Sequence, residues 1–177
     1  MLKIKNLLLL VVFALLMQAN TVMANFSKGD FVSPSNLSSD TGKKLNGLPG
    51  IILKKANTKD SEPERYEVLV WLKKDAQFEK ARIKTSDLNL LKQKNLGVDY
   101  NELDNISDIL GTKFGHQGKE MLNYGDEENV ARVIGAYIYF NYGHDAMVYT
   151  CEKHMYSDRA VYGAIERAWN RIGRWMS

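Results

Sequence analysis

The spacing of hydrophobic positions changes once along the chain, from strand-like alternation before residue 91 to helical spacing after residue 102. In residues 65–72 every second position is apolar, and the intervening positions include Leu69 and Trp71. We expect a strand of this kind to be covered on both faces. Short apolar runs at 31–32 and 51–53 predict further strands, and residues 78–83 predict another. Residues 85–88 predict one tight or helical turn. The sequence therefore predicts a small antiparallel β-barrel over residues 26–91.

Helical spacing dominates after a polar stretch, 92–101, which we interpret as a linker. Apolar positions from Leu103 to Leu110 predict a first helix that Gly111 ends. Those from Val130 to Met155 favour one long, kinked helix. Gly143 interrupts this stretch at a cost of roughly 1 kcal/mol. The alternative is a break at 141–144, with Asp145 capping a second helix.

The last helix begins after Ser157 and Asp158, and its apolar stripe runs from Val161 to Met176. A short connection favours antiparallel packing of the last two helices as a hairpin. The predicted fold class is therefore α+β: a small antiparallel β-barrel (26–91) followed by a helical module (102–177) with a C-terminal helix hairpin.

The first 24 residues have the composition of a cleaved signal peptide. Lys3 and Lys5 precede the apolar run Leu7–Met17, and Val22-Met23-Ala24 forms a cleavage site. The run is shorter than the roughly 20 residues of a membrane span. We therefore expect an exported protein, periplasmic or secreted, with no transmembrane anchor after cleavage.

Charge is unevenly distributed along the predicted mature chain. Residues 25–94 contain 14 Lys/Arg and 9 Asp/Glu, whereas residues 95–177 contain 8 and 12. The basic half suits an acidic partner, although lysines also keep sheet edges soluble. Cys151 is the only cysteine, so an internal disulfide is impossible. Its position on an apolar helical stripe favours burial over pairing with another chain.

A set of glycine, hydrophobic and basic positions in residues 28–91 resembles small Src-homology-type β-barrels. The matching residues are Gly29, Asp30, Val32, Leu45, Asn46, Gly47, Gly50, Ile52, Arg65, Tyr66, Val68, Ile83, Lys84, Leu88 and Leu90. The insertions at 33–44 and 54–64 are longer than such barrels usually carry. The resemblance implies a binding or spacing module that contributes no catalytic residues.

The sequence contains few candidates for chemistry. His144, Cys151 and His154 have helical spacing, but zinc sites usually bring their ligands in closer pairs, so we predict no metal site and no cofactor. Cys151 lies near Glu152 on an apolar stripe, which disfavours a nucleophilic thiol. We assign no catalytic residue.

We therefore favour a non-enzymatic, exported protein that binds another protein or an envelope polymer, and not a nucleic acid. The predicted contact residues are Tyr66, Trp71, Lys54, Lys55, Lys73 and Lys74, with Lys43 and Lys44 beside them. One alternative is a small envelope-acting hydrolase with its site between the two modules, for which His116, His144 and Cys151 are the side chains to test. Another is an inhibitor or immunity protein.

Overall fold

The computed structural model describes residues 25–59, 61–114, 127–155, 158–170 and 172. The predicted signal peptide and His116 lie outside these ranges. The strands are β1 (Phe31–Pro34), β2 (Gly50–Lys55), β3 (Arg65–Leu72), β4 (Gln77–Lys84) and β5 (Leu88–Leu90). The helices are α1 (Asp40–Lys43), α2 (Tyr100–Phe114), α3 (Glu127–Tyr142), α4 (His144–Met155) and α5 (Arg159–Trp169). Within the described ranges, no helix is both long and apolar enough to cross a bilayer.

The five strands form one antiparallel sheet in the order β4-β3-β2-β1-β5. The predicted antiparallel strands followed by a helical region are confirmed, as is the helical turn before β5, which is a 3-10 helix at Thr85–Asp87. Another 3-10 helix, Lys73–Asp75, forms the turn after β3. The predicted closure is not observed, because β4 and β5 lie at the two edges and do not pair with each other. β5 is three residues long and pairs only with β1. The module is thus an open sheet.

β3 is buried on both faces, as its alternation predicts. On one face, Tyr66, Val68 and Val70 join a small hydrophobic cluster with β1, β2 and the loop segments. On the other face, Leu69 and Trp71 join the main core, which also contains the buried faces of α2 to α5. The sheet and the helices therefore share one hydrophobic core, and the regions predicted as 26–91 and 102–177 pack against each other through it.

Two glycines act differently from their predicted roles. Gly111 does not end the first helix, which continues to the buried Phe114. Gly143 separates α3 from α4 with a φ of +89°, so the favoured single long helix is wrong and the alternative break at 141–144 is confirmed. The predicted cap is wrong, because α4 begins at His144 and Asp145 lies within its first turn. A left-handed residue cannot continue an α-helix, and glycine adopts this conformation without steric cost.

α5 packs on the other helices through its apolar stripe. The helix begins after Asp158, as predicted, and the Asp158 side chain caps it by accepting a hydrogen bond from the backbone N–H of Val161 at 3.2 Å. Val161, Ile165 and Trp169 are buried. α5 contacts α4, as a hairpin requires, but it contacts α3 more extensively. The helical region is therefore organised around α3.

Gly135 provides a test of the α3–α5 contact. An added Cβ at Gly135 would lie 2.4 Å from Nε1 of Trp169, whose indole N–H donates a buried hydrogen bond to the Ala131 carbonyl at 2.8 Å. We expect Gly135→Ala to destabilise the protein by about 1–3 kcal/mol in chemical denaturation, despite the higher helix propensity of alanine. Gly97→Ala is the matched control, because its added Cβ meets no atom within 4 Å. Equal stability of the two variants would contradict this close packing.

Candidate functional site

Tyr66 and Trp71, the two aromatic residues predicted to contact a partner, are both core residues. Tyr66 is 2% exposed and packs edge-on against Phe26, with ring centroids 5.6 Å apart. Trp71 is fully buried between Phe78 and Tyr137. Because β3 is covered on both faces, neither ring can form part of an exposed contact surface. The structure therefore corrects this part of the predicted site.

The predicted lysines lie at two separate places. Lys54 and Lys55 are at the end of β2 and pair in register with Glu67 and Tyr66. Lys73 and Lys74 follow the opposite end of β3. A strand rises about 3.3 Å per residue, so the two pairs are roughly 20 Å apart. The six predicted residues do not form one surface.

Strand register brings together a set of basic residues that the sequence analysis did not group. Directly paired residues of an antiparallel sheet share a face. Arg65 is opposite Lys84, and Glu67 is opposite both Arg82 and Lys54, all on the face of β3 that carries Leu69 and Trp71. We call this group the basic sheet face: Lys54, Arg65, Lys80, Arg82 and Lys84.

The helices cover only part of this side of the sheet. Leu69 is 3% exposed and Trp71 is fully buried under them. Toward the other end of β3, Lys54 and Arg82 are exposed, and Arg65 and Lys84 are half-buried. Glu67 is the acidic residue within this face and lies 3.6 Å from the Lys54 ammonium. The i, i+2 spacing of Lys80, Arg82 and Lys84 was the sequence signal for this surface.

A cleft of about 540 Å³ lies where the sheet meets α2. Its lining residues are Lys73, Lys74, Asp99, Asn101, Glu102, Asn105, Ile106 and Ile109. Two of the predicted contact residues, Lys73 and Lys74, are therefore at the junction that the hydrolase alternative requires.

Glu102 is the central charged group at this junction. Its carboxylate accepts hydrogen bonds from the Lys73 ammonium and from the hydroxyls of Tyr137 and Tyr142. Burial acts to raise the pKa of Glu102, but the hydrogen bonds from the lysine and both tyrosines outweigh it, so the pKa lies below its ordinary value. Burial and the bonds to Glu102 raise the pKa of both tyrosines. At neutral pH the carboxylate is ionised and the phenols are protonated.

Cys151 and His154 have separate environments and do not form a site together. Cys151 is a buried free cysteine, and burial raises the pKa of its thiol to about 12, with Glu166 and Glu152 acting in the same direction. His154 is buried, and its Nε2 lies 2.8 Å from Oγ of Ser107. Desolvation lowers the pKa of His154. In the described ranges, no cluster of three or more His, Cys, Asp or Glu residues could bind a metal ion.

Comparisons of this chain with protein-family models, curated proteins and solved structures found no match. The resemblance of residues 28–91 to Src-homology-type barrels therefore stays a prediction. Function must be inferred from the geometry of the basic sheet face and of the cleft.

Glu102→Gln tests the charge at the sheet–helix junction. A carboxylate whose folded pKa is below its unfolded value of about 4.3 stabilises the protein above that pH, and this stabilisation is lost as the pH falls through the folded pKa. We expect the variant to be less stable than the wild type by about 1–3 kcal/mol at pH 7. The difference should shrink steadily on acidification, measured by denaturation at several pH values.

The matched control is Glu62→Gln in an exposed loop, which should change stability little at any pH. A Glu102→Gln penalty that is constant between neutral and acidic pH would contradict the assigned ionisation.

Cys151 should react with an alkylating reagent only after unfolding. The thiolate is the reactive form, and a buried thiol with a pKa of about 12 contains almost none at pH 7. We expect iodoacetamide to leave the native protein unmodified and to add one label in denaturant, as read by intact mass. Rapid labelling of the native protein would show an accessible thiol instead.

Proposed function

We propose that the protein is an exported, non-enzymatic binding protein that engages an acidic macromolecule through the basic sheet face. Export follows from the predicted signal peptide at 1–24. The binding role follows from the sheet module, for which we also propose a Src-homology-type relationship. The presence of five antiparallel strands and the 3-10 turn before β5 support that relationship.

The observation that carries the proposal is an uncovered basic area on an otherwise buried side of the sheet. The residues of this area belong to adjacent strands, so their positions are fixed by hydrogen-bonded pairing and not by flexible loops. The backbone of this surface is already ordered before binding, so the conformational freedom lost on binding is mainly that of the lysine and arginine side chains. Complementary charge also speeds association and orients the partner.

The hydrolase alternative has less support, because the titratable groups at the sheet–helix junction and the thiol of Cys151 are poorly suited to acid–base or nucleophilic catalysis. General acids and bases work best with a pKa near the operating pH. The pKa of Glu102 is lowered and those of Tyr137 and Tyr142 are raised, so each is shifted away from neutrality. The thiol of Cys151 is buried and protonated at neutral pH. The contacts of Glu102 instead connect α2 and α3 to the end of β3.

Neutralising the exposed end of the basic sheet face tests the proposal. We expect the double variant Arg82→Gln, Lys84→Gln to bind immobilised poly-glutamate about tenfold more weakly than the wild type at low salt, because surface attraction is screened within roughly 10 Å at 0.1 M. The melting temperature should change little, since neither residue belongs to the hydrophobic core.

The matched control is Lys92→Gln, Lys94→Gln, which removes the same charge from two exposed positions outside the basic sheet face. This variant should retain wild-type affinity. Equal weakening of both variants would show that net charge, and not this face, determines binding. Unchanged affinity in the Arg82 and Lys84 variant would end the proposal.

A further inference from the structure

β4 presents a long edge of the sheet. Its eight residues all pair with β3 on one side, from Gln77 opposite Leu72 to Lys84 opposite Arg65. Within the described ranges, no other strand pairs with its outer side. The backbone groups that point outward can therefore accept a further strand, which is a known way of binding an extended peptide.

The side chains of β4 define what kind of strand would fit. Arg82 and Lys84 lie on the same face, separated by two residues or about 6.6–6.8 Å. An added strand places alternate side chains on that face with the same repeat, because strands in one sheet share this geometry. Acidic side chains at alternate positions would each lie beside a cation.

The opposite face of β4 favours different side chains in an added strand. It carries Glu79, Ala81 and Ile83, which share a face with Val70, Val68 and Tyr66 of β3. Glu79 would repel a carboxylate on this side, and Ala81 and Ile83 favour an uncharged or apolar neighbour. A uniformly acidic segment therefore fits less well than one in which acidic and uncharged residues alternate.

We infer that β4 binds an extended segment of a partner protein as a sixth strand, with Asp or Glu at alternate positions facing Arg82 and Lys84. This inference rests on the proposed function and specifies its partner. Lys80 lies on the same face but already has an interaction within the chain, and the inference does not require it. Arg65, opposite Lys84, adds positive charge one strand away.

Basic residues at an edge have another common role, which is to prevent edge-to-edge aggregation. The two roles differ in their consequences. If the charges only protect the edge, their removal promotes self-association and leaves peptide binding unaffected. If they recognise a strand, their removal weakens binding of a peptide with the matching pattern.

The experiment compares eight-residue peptides, matching the length of β4. One alternates threonine and glutamate, one has the same composition in two blocks, and one is the alternating peptide with every backbone amide N-methylated. Fluorescence anisotropy with the purified protein measures each affinity. We expect the block peptide to bind about tenfold more weakly than the alternating one, and the methylated peptide to lose binding, because strand pairing needs the amide hydrogens.

NMR or hydrogen exchange then locates the site. The alternating peptide should protect amides of β4 from exchange. Its affinity should fall about tenfold in the Arg82→Gln, Lys84→Gln variant and stay unchanged in the Lys92→Gln, Lys94→Gln variant. The inference would be overturned if the block and methylated peptides bound as tightly as the alternating peptide, or if the protected amides were centred on the cleft. If these peptides fail but poly-glutamate still requires Arg82 and Lys84, only strand addition is wrong. If poly-glutamate also fails, the proposed function is wrong.

Discussion

The structure depends on the burial of β3 on both of its faces. One face closes the small cluster around Tyr66 and Val68, and the other supplies Leu69 and Trp71 to the helical core. Trp71 is fully buried and contacts both Phe78 of β4 and Tyr137 of α3. An aromatic side chain buries on the order of 150–250 Å². Exposing this face by removing the helices would return much of that area to water, so neither layer is expected to keep its structure alone.

The polar contacts around Glu102 fix how the helices are oriented on the sheet. Glu102 receives donors from the turn after β3 and from two turns of α3, so its position depends on both layers. A partly buried charge costs free energy unless it is paired and fully hydrogen-bonded. Glu102 meets that condition, and a shift of α3 along the sheet would break it. Hydrogen bonds depend on angle as well as on distance, so this cluster adds an orientational constraint that apolar contacts alone do not provide.

Local patterns predicted the elements more reliably than the contacts between them. Alternation in residues 65–72 predicted a strand covered on both faces, and the turn at 85–88 was also correct. The same alternation implied burial of Tyr66 and Trp71, so assigning them to an exposed surface conflicted with it. Closure of a barrel depends on pairing between β4 and β5, which no local pattern encodes. Gly143 carries an ambiguous signal, because a glycine within a helix and one that ends it look alike until φ is known.

The basic sheet face is exposed because the helices cover only part of the length of β3. β3 is eight residues long, but on this face the helices bury Leu69 and Trp71 and leave Arg65 and Glu67 partly exposed. The same face of β4 is therefore covered at one end and exposed at the other, because Phe78 packs against the core whereas Arg82 faces solvent. Lys73 of the basic half of the chain forms an ion pair with Glu102 of the acidic half, which neutralises part of the charge of both halves. At the far end of the sheet, the acidic residue Glu67 shares a face with the basic residues Lys54, Arg65, Arg82 and Lys84, so the charge of that end stays net positive.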